Sequence, residues 1–315
     1  MILNSNAETF PERCHQPVML DEAVKFLDPR PGGCYVDGTV GAGGHAGAIM
    51  GKVQGQARLL GLDRDPEALR LAARVLSAYA PCLKLSNFDA AGAVMKDLDF
   101  SPAQGILLDL GVSSMQLDQG ERGFSFMKDA PLDMRMSAEG INAAQLIASS
   151  SREELKNIIK RYGEEPFAGP IARRLAGVRV ETTAHLSRLV EEALPAGERR
   201  RRKIHPATLV FQALRIAVND ELGCLQRFLD GIPGLLAPGG RMVIISYHSL
   251  EDRLVKQAFN SYAHPCLCPP HLPVCGCGAK AAFRLLSKRP LRPADREVAR
   301  NPRSRSARMR ILEAL

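Results

Sequence analysis

Asp37-Gly38-Thr39-Val40-Gly41-Ala42-Gly43-Gly44-His45 is the stretch that decides how this chain folds. The apolar run before it, Cys34 to Asp37, reads as a strand, and the stretch after it, Gly44 to Met50, reads as a helix. A glycine-rich turn between strand and helix lets backbone N–H groups approach an anionic or polar ligand, and the helix N-terminus adds partial positive charge. Gly41, Gly43 and Ala46 also satisfy the G-x-G-x-x-A form of the dinucleotide fingerprint. The loop alone therefore leaves NAD and S-adenosylmethionine both open, beside a plain tight turn.

Outward from this loop the rhythm repeats. Arg58 to Asp63, Lys84 to Phe88 and Gly105 to Leu110 read as further strands, with Pro66 to Tyr79 and Ala90 to Lys96 as helices between them. That alternation predicts an α/β fold, a mostly parallel Rossmann-like sheet covered on both faces. Asp63 closes the second strand, where an acidic side chain accepts hydrogen bonds from ribose hydroxyls, while Asp65, just before Pro66, suits a helix N-cap. Phe88 ends the third strand and either lines an adenine pocket or packs in the core. Asp109 ends the fourth, followed by Ser113 and Gln116. Ligands collect at the carboxyl ends of parallel strands, so these groups converge on one crevice.

From about Ser137 to Leu194 only helical patterns appear, including a capping box at Ser151 and Glu154 and an apolar stripe at Leu186, Leu189, Val190, Ala193 and Leu194. Pro206 opens one long helix carrying Leu214, Val218, Leu225 and Leu229 toward Gly231. Sheet patterns then resume: a Pro-Gly turn over Leu235 to Gly240, a strand over Arg241 to Ser246, and a closing antiparallel pair near Phe283 to Leu286 and Met309 to Leu312. The expected organisation is a discontinuous α/β domain, residues 1–115 and 210–315, interrupted by a helical insertion, residues 116–209.

The chain has 315 residues with 45% hydrophobic and 24% charged side chains, enough for a large core and against general disorder. Its net charge of +8 favours a polyanionic partner. The excess is local: Arg199, Arg200, Arg201, Arg202 and Lys203 run consecutively, and the tail from Arg284 to Arg310, with Arg303 and Arg305, is rich in cations. Phosphate contact and a solvated charged loop are the two readings of the run. No repeat, export signal or membrane-spanning apolar run is visible, so a cytoplasmic location and reduced cysteines are expected. Four of the eight cysteines, Cys266, Cys268, Cys275 and Cys277, lie within twelve residues among prolines. They are either a structural zinc site or a reduced surface loop.

The blocks around these features resemble the bacterial small-subunit rRNA cytosine-N4 methyltransferases, the RsmH/MraW family. They comprise His15 to Leu20 with Glu22, Val36 to His45, Asp63 to Pro66, Gly105 to Gln116, Glu121 to Met136, Glu165 to Phe167, Lys203 to Leu222, Ile245 to Arg253 and Asn301 to Arg310, covering essentially the whole chain. The resemblance implies a class I methyltransferase fold with a helical insertion. It implies S-adenosylmethionine held by Gly43, Gly44, His45, Asp63, Phe88, Asp109 and Gln116, and methyl transfer to N4 of a cytidine in the decoding region of 16S rRNA. Tyr247 and Met115 stand where Phe and Pro are usual, and neither substitution is expected to touch the site's polar groups.

Such a transfer requires no metal, because the methyl group is already activated on a sulfonium. The cytosine amino lone pair is delocalised into the ring, so acceptors must hold its hydrogens while it lines up. Asp109, the carbonyls of Leu110 to Val112, and Ser113 are the expected acceptors, with Asp109 nearer the cofactor and Ser113 nearer the base or, alternatively, stabilising the turn. His248 follows the fifth strand and either borders the same crevice or, as the preferred reading, is packed or N-capping. Two rival readings remain at this point: an NAD-linked oxidoreductase resting on the fingerprint and Asp63, and a ribosome-assembly factor that has lost transfer.

Overall fold

Alternating side chains along each strand divide the buried apolar residues into two layers. Val36, Leu60, Leu62, Ile106, Leu108, Met242 and Ile244 point into one core. Their neighbours Tyr35, Leu59, Leu107, Val243 and Ile245 point into another. A strand buried on both faces is what a parallel sheet between helical layers requires. The computed structural model describes residues 17–111, 120–137, 139–266, 268 and 276–315.

The strands are β1 (Cys34–Asp37), β2 (Arg58–Asp63), β3 (Cys82–Leu85), β4 (Ala103–Asp109), β5 (Leu236–Ser246), β6 (Phe283–Leu285) and β7 (Arg308–Ala314). They form one sheet in the order β3-β2-β1-β4-β5-β7-β6. The first five are parallel, and β7 runs antiparallel between β5 and β6. This is the class I methyltransferase arrangement. Its winding reverses at β1 and β4, so the loops following those two strands flank the switch-point crevice.

On the sheet's flanks lie α1 (Leu20–Leu27), α2 (Gly44–Lys52), α3 (Pro66–Val75) and α4 (Ala91–Asp97). Between β4 and β5 come α5 (Ala143–Ser149), α6 (Arg152–Gly163), α7 (Ala168–Leu175), α8 (Thr183–Ala193), α9 (Ala196–Arg201), α10 (Thr208–Asn219) and α11 (Glu221–Asp230). Most of this segment builds a third core of its own, from Phe124 and Leu132 through Leu155, Ile171 and Leu186 to Leu214. The expected boundary at 209/210 falls inside α10, whose Val210, Phe211 and Leu214 belong to that helical core. The capping box at Ser151 and Glu154 opens α6.

Two expectations need correction. The single helix after Pro206 is two helices, broken at Asp220, whose φ of 46° is left-handed. The apolar spacing passes through the break unchanged, which hides it from a periodicity argument. The third strand stops at Leu85, and Phe88 sits instead on a 3-10 turn, Phe88–Ala90, where the Asn87 side chain accepts the Phe88 N–H at 2.8 Å. After β5 come α12 (Ser249–Ala263) and, before β7, α13 (Asp295–Arg300). Among the described residues no helix is long and apolar enough to cross a membrane.

Candidate active site

The carboxyl ends of β1 and β4 are tied directly together. Asp37 is opposite Leu107 in the ladder, and the Gly38 N–H donates to the Leu107 carbonyl at 2.9 Å. The Asp109 N–H donates to Thr39 Oγ1 at 2.7 Å. Gly38 leaves no open room for a side chain: a Cβ there would lie 2.4 Å from Leu108 Cδ2, which would have to shift, and 3.3 Å from Phe88 Cβ. That contact also places Phe88 beside the loop, where its ring meets Phe228 edge-on with centroids 5.9 Å apart. Gly43, at φ 88°, is the N-cap of α2, and Gly44 is its first residue. Its N-cap residue has no side chain to offer, and among the described residues no side chain accepts from its first-turn N–H groups.

Asp63, at the end of β2, organises the loop from the other side. Its Oδ2 accepts the Gly41 N–H at 2.9 Å and its Oδ1 accepts the Asp65 N–H at 2.9 Å. A carboxylate offers about four acceptor positions, so Asp63 retains capacity for hydroxyls after bracing the turn. Asp65 caps α3 through the Glu67 N–H at 3.0 Å and holds Arg122 Nη1 at 2.5 Å. This ion pair joins the sheet domain to the chain following β4.

His45 is buried, with Nε2 3.0 Å from the Val18 carbonyl and Nδ1 3.8 Å from Asp109 Oδ2. A carbonyl only accepts, so Nε2 carries the proton in the neutral ring. Burial holds the His45 pKa below the ordinary histidine value. Burial also pushes Asp109 up to about 7 and Asp37 up to about 6, and raises Asp63. Asp109 keeps about one fifth of its side chain accessible, which is the opening of the crevice upon it.

Tyr247, the residue after β5, overturns its expected remoteness: its hydroxyl donates to Asp109 Oδ1 at 2.7 Å and lowers the pKa that burial raises. The next residue, His248, opens α12 in a capping box with Glu251, as its N-capping reading anticipates. Its Nε2 lies 3.2 Å from Glu251 Oε1 but is not aligned for a hydrogen bond. Glu251 is buried, which opposes ionisation, yet His248, Arg215 and the Tyr247 N–H outweigh that cost and hold its carboxyl below the usual range. Asp37, Tyr247 and Glu251 were not among the expected site residues. Only Asp37 had a local signal, as the first residue of the glycine loop.

These groups suit S-adenosylmethionine on two observations. Three carboxyls held above their ordinary pKa by burial are relieved by a cationic ligand, and the uncapped start of α2 accepts a polar one. Gly43, Gly44, His45, Asp63, Phe88 and Asp109 lie around this crevice; Ser113 and Gln116 lie outside the described residues, as does Met115.

The basic segments divide. Arg199, Arg200, Arg201 and Lys203 are exposed on and just after α9. Arg202 does not join them: its guanidinium makes two bonds, 2.6 and 2.7 Å, to Glu165, a fully buried carboxylate. In the tail, Arg308 and Arg310 are taken by Asp252 and Arg284 by Glu313. Arg303 and Arg305 are exposed. Arg305, with Arg292 and Arg308, lines a cavity of about 160 Å³ that also touches Tyr247 and His248.

Residues 12–315 match the model of the MraW methylase family. The chain is 50% identical over 309 residues to the ribosomal RNA small subunit methyltransferase H of Geobacter sulfurreducens, covering 96% of this chain and 99% of the relative. It is 48% identical over 306 residues to the protein of the same name from Anaeromyxobacter sp. strain K, covering 96% and 98%. Among solved structures, an rRNA methylase from Streptococcus thermophilus aligns over 94% of this chain and 93% of its own, with 12% identity and a TM-score of 0.38. Matched from residue 12 to its last residue, with relatives sharing about half its positions, the chain belongs to the MraW methylase family.

Proposed function

We propose that the chain transfers a methyl group from S-adenosylmethionine to N4 of a cytidine in the decoding region of 16S rRNA. The observation that carries this reading is the gathering of the largely buried carboxyls Asp37, Asp63 and Asp109 at the carboxyl ends of β1, β2 and β4 in a MraW-family chain. The N4 position rests on the family resemblance. S-adenosylmethionine, when bound, supplies a methyl group on a sulfonium, so the chain's own side chains need only bind, orient and balance charge.

In this scheme Asp63 takes the ribose hydroxyls while bracing Gly41. Gly43 and Gly44 keep the start of α2 open to the ligand's polar end. His45 packs behind them, Phe88 lines the adenine, and Gln116 contacts the cofactor as the family resemblance implies. Asp109, ionised once positive charge enters the crevice, opposes the charge that develops on the attacking nitrogen, and Ser113 accepts an amino hydrogen. The helical insertion recognises substrate, and the sheet domain on either side of it binds cofactor. Arg199, Arg200, Arg201, Lys203, Arg303 and Arg305 contact rRNA phosphates, in the cytoplasm. With no Trp and few aromatics, base selection depends on turning one cytosine out into the site rather than on a stacking platform.

The test is incubation of the purified chain with isotopically labelled S-adenosylmethionine and small ribosomal subunits from a strain deleted for the corresponding gene. Nucleoside mass spectrometry is expected to find the label in N4-methylcytidine at one position. Label in a ring-carbon or ribose methyl group overturns the N4 reading, and no transfer to any subunit or rRNA fragment overturns the activity.

A further inference from the structure

The described part of the loop joining α12 to β6, His264 to Cys266, Cys268 and Gly276 to Ala282, buries no side chain. Apolar burial resumes only at Phe283, which packs in the first core. Yet the loop gathers three thiols: the Sγ atoms of Cys266, Cys268 and Cys277 all lie within 4.8 Å of one another. The Cys266 and Cys277 sulfurs are 3.6 Å apart, far beyond the ~2.05 Å of an S–S bond. Four thiolates around one zinc at ~2.3 Å stand at tetrahedral corners about 3.8 Å apart. The observed spacing is thus that of ligands to a single small ion.

We propose that Cys266, Cys268 and Cys277 bind a structural zinc ion. Cys275 lies outside the described residues. Each thiol gives up its proton to solvent on ligation, and the three thiolates supply three of the four tetrahedral positions of an ion with no geometric preference of its own. The consequence is mechanical. The ion closes the twelve-residue loop at its base and fixes where the chain leaves α12 and enters β6, the edge strand beside β7. A segment whose described residues bury nothing gains its order from a cross-link instead of a core. The site is independent of the transfer reaction and stands or falls separately from it.

The full-length chain, purified without chelator, is expected to carry one zinc per chain by elemental mass spectrometry. The Cys266→Ser, Cys268→Ser and Cys277→Ser variants are each expected to lose at least nine tenths of it while keeping the wild-type circular dichroism spectrum. Cobalt substitution of the wild type provides a second measurement that needs no variant to fold: it is expected to give thiolate-to-cobalt charge-transfer bands and strong tetrahedral d–d absorption. Several results overturn the site. They are a metal-free protein whose eight thiols all react with an alkylating agent, a Cys266–Cys277 disulfide in the purified chain, stoichiometric iron or copper in place of zinc, or zinc retained after Cys266 and Cys277 are both replaced.

Discussion

The Tyr247 hydroxyl donates a 2.7 Å hydrogen bond to Asp109 Oδ1, linking the residue after β5 to the last residue of β4 across the crevice. The bond favours the ionised carboxylate against the burial that pushes Asp109 up to about 7. Tyr247→Phe is therefore expected to move the Asp109 pKa further upward. If transfer uses the ionised carboxylate, the acidic limb of the single-turnover pH profile shifts to higher pH, with little change well above neutrality. A profile that superposes on wild type assigns Tyr247 to packing alone.

The same raised pKa values make ligand affinity depend on pH in a charge-specific way. Asp109 near 7 and Asp37 near 6 are partly protonated at neutral pH when the crevice holds no cation. A sulfonium favours their ionised forms, whereas the neutral thioether of S-adenosylhomocysteine does not. Affinity for S-adenosylmethionine is expected to rise between pH 5.5 and 8, by up to about tenfold per pH unit for each proton released on binding. Affinity for S-adenosylhomocysteine should change much less. Calorimetry in buffers of different ionisation enthalpy checks this, and equal proton release for both ligands removes the carboxyls from cation recognition.

Asp109 also links pH to stability. Its pKa is raised in the folded chain, so folding favours its proton, and the resulting stability is present below the unfolded pKa and lost as pH rises through about 7. A rise from 3.8 to about 7 sets an upper bound of about 4 kcal/mol on that loss. Asp109→Asn is expected to flatten the fall in stability between pH 4 and 7 and to lose methyl transfer even at saturating cofactor. Denaturant unfolding of both proteins across that range measures the first effect, and single-turnover rates measure the second. Parallel stability curves, or near-wild-type turnover, contradict it.

The parts of this site that are legible in the sequence are those encoded within a few neighbouring residues. The turn from β1 to α2, Asp63 at the end of β2, Asp65 before Pro66, and the Ser151 capping box each depend on residues close in the chain, where backbone sterics and capping act directly. Contacts that bind distant segments are not legible. Arg202 reads as one cation in a run of five because Glu165 is 37 positions away. Arg122 and Asp65 are 57 apart, and Tyr247 and Asp109 are 138 apart. The break between α10 and α11 is hidden for another reason. Asp220 turns the chain through a left-handed conformation, and its carboxylate sits over Gly223, where a Cβ would come within 2.2 Å of Asp220 Oδ1. The hydrophobic spacing on either side continues unaltered.

Asp63 carries two loads, and its variants should separate them. Asp63→Ala removes a charge-assisted acceptor for ligand hydroxyls and frees the Gly41 N–H. Bonds of that kind contribute roughly 1.5–3 kcal/mol, so affinity for S-adenosylhomocysteine is expected to fall about 10- to 150-fold. Asp63→Asn retains one acceptor oxygen, enough to hold either the Gly41 or the Asp65 N–H but not both. It should lose less affinity than Asp63→Ala and more than a surface control. Equal affinity in all three proteins would leave Asp63 a purely structural brace.

The division within the basic run supplies the sharpest contrast. Arg199, Arg200, Arg201 and Lys203 are exposed, so replacing these four by Ser is expected to weaken binding to the small ribosomal subunit and leave stability and cofactor affinity alone. Each lost phosphate contact lowers the slope of log K against log salt by about 0.7, or up to about 3 for the set. Arg202 should behave in the opposite way. Its side chain is 12% exposed against a Glu165 carboxylate that is fully buried, so Arg202→Ser leaves that charge without its partner. Removing one member of such a pair costs about 3–5 kcal/mol of stability, and the damage should fall on the helical core around α6 and α7. Salt titrations of subunit binding and denaturant unfolding, run on both variants, check the contrast. Parallel salt plots for the fourfold variant would mean a solvated surface, and an unchanged unfolding midpoint for Arg202→Ser would mean that Glu165 takes up a proton or another partner at small cost.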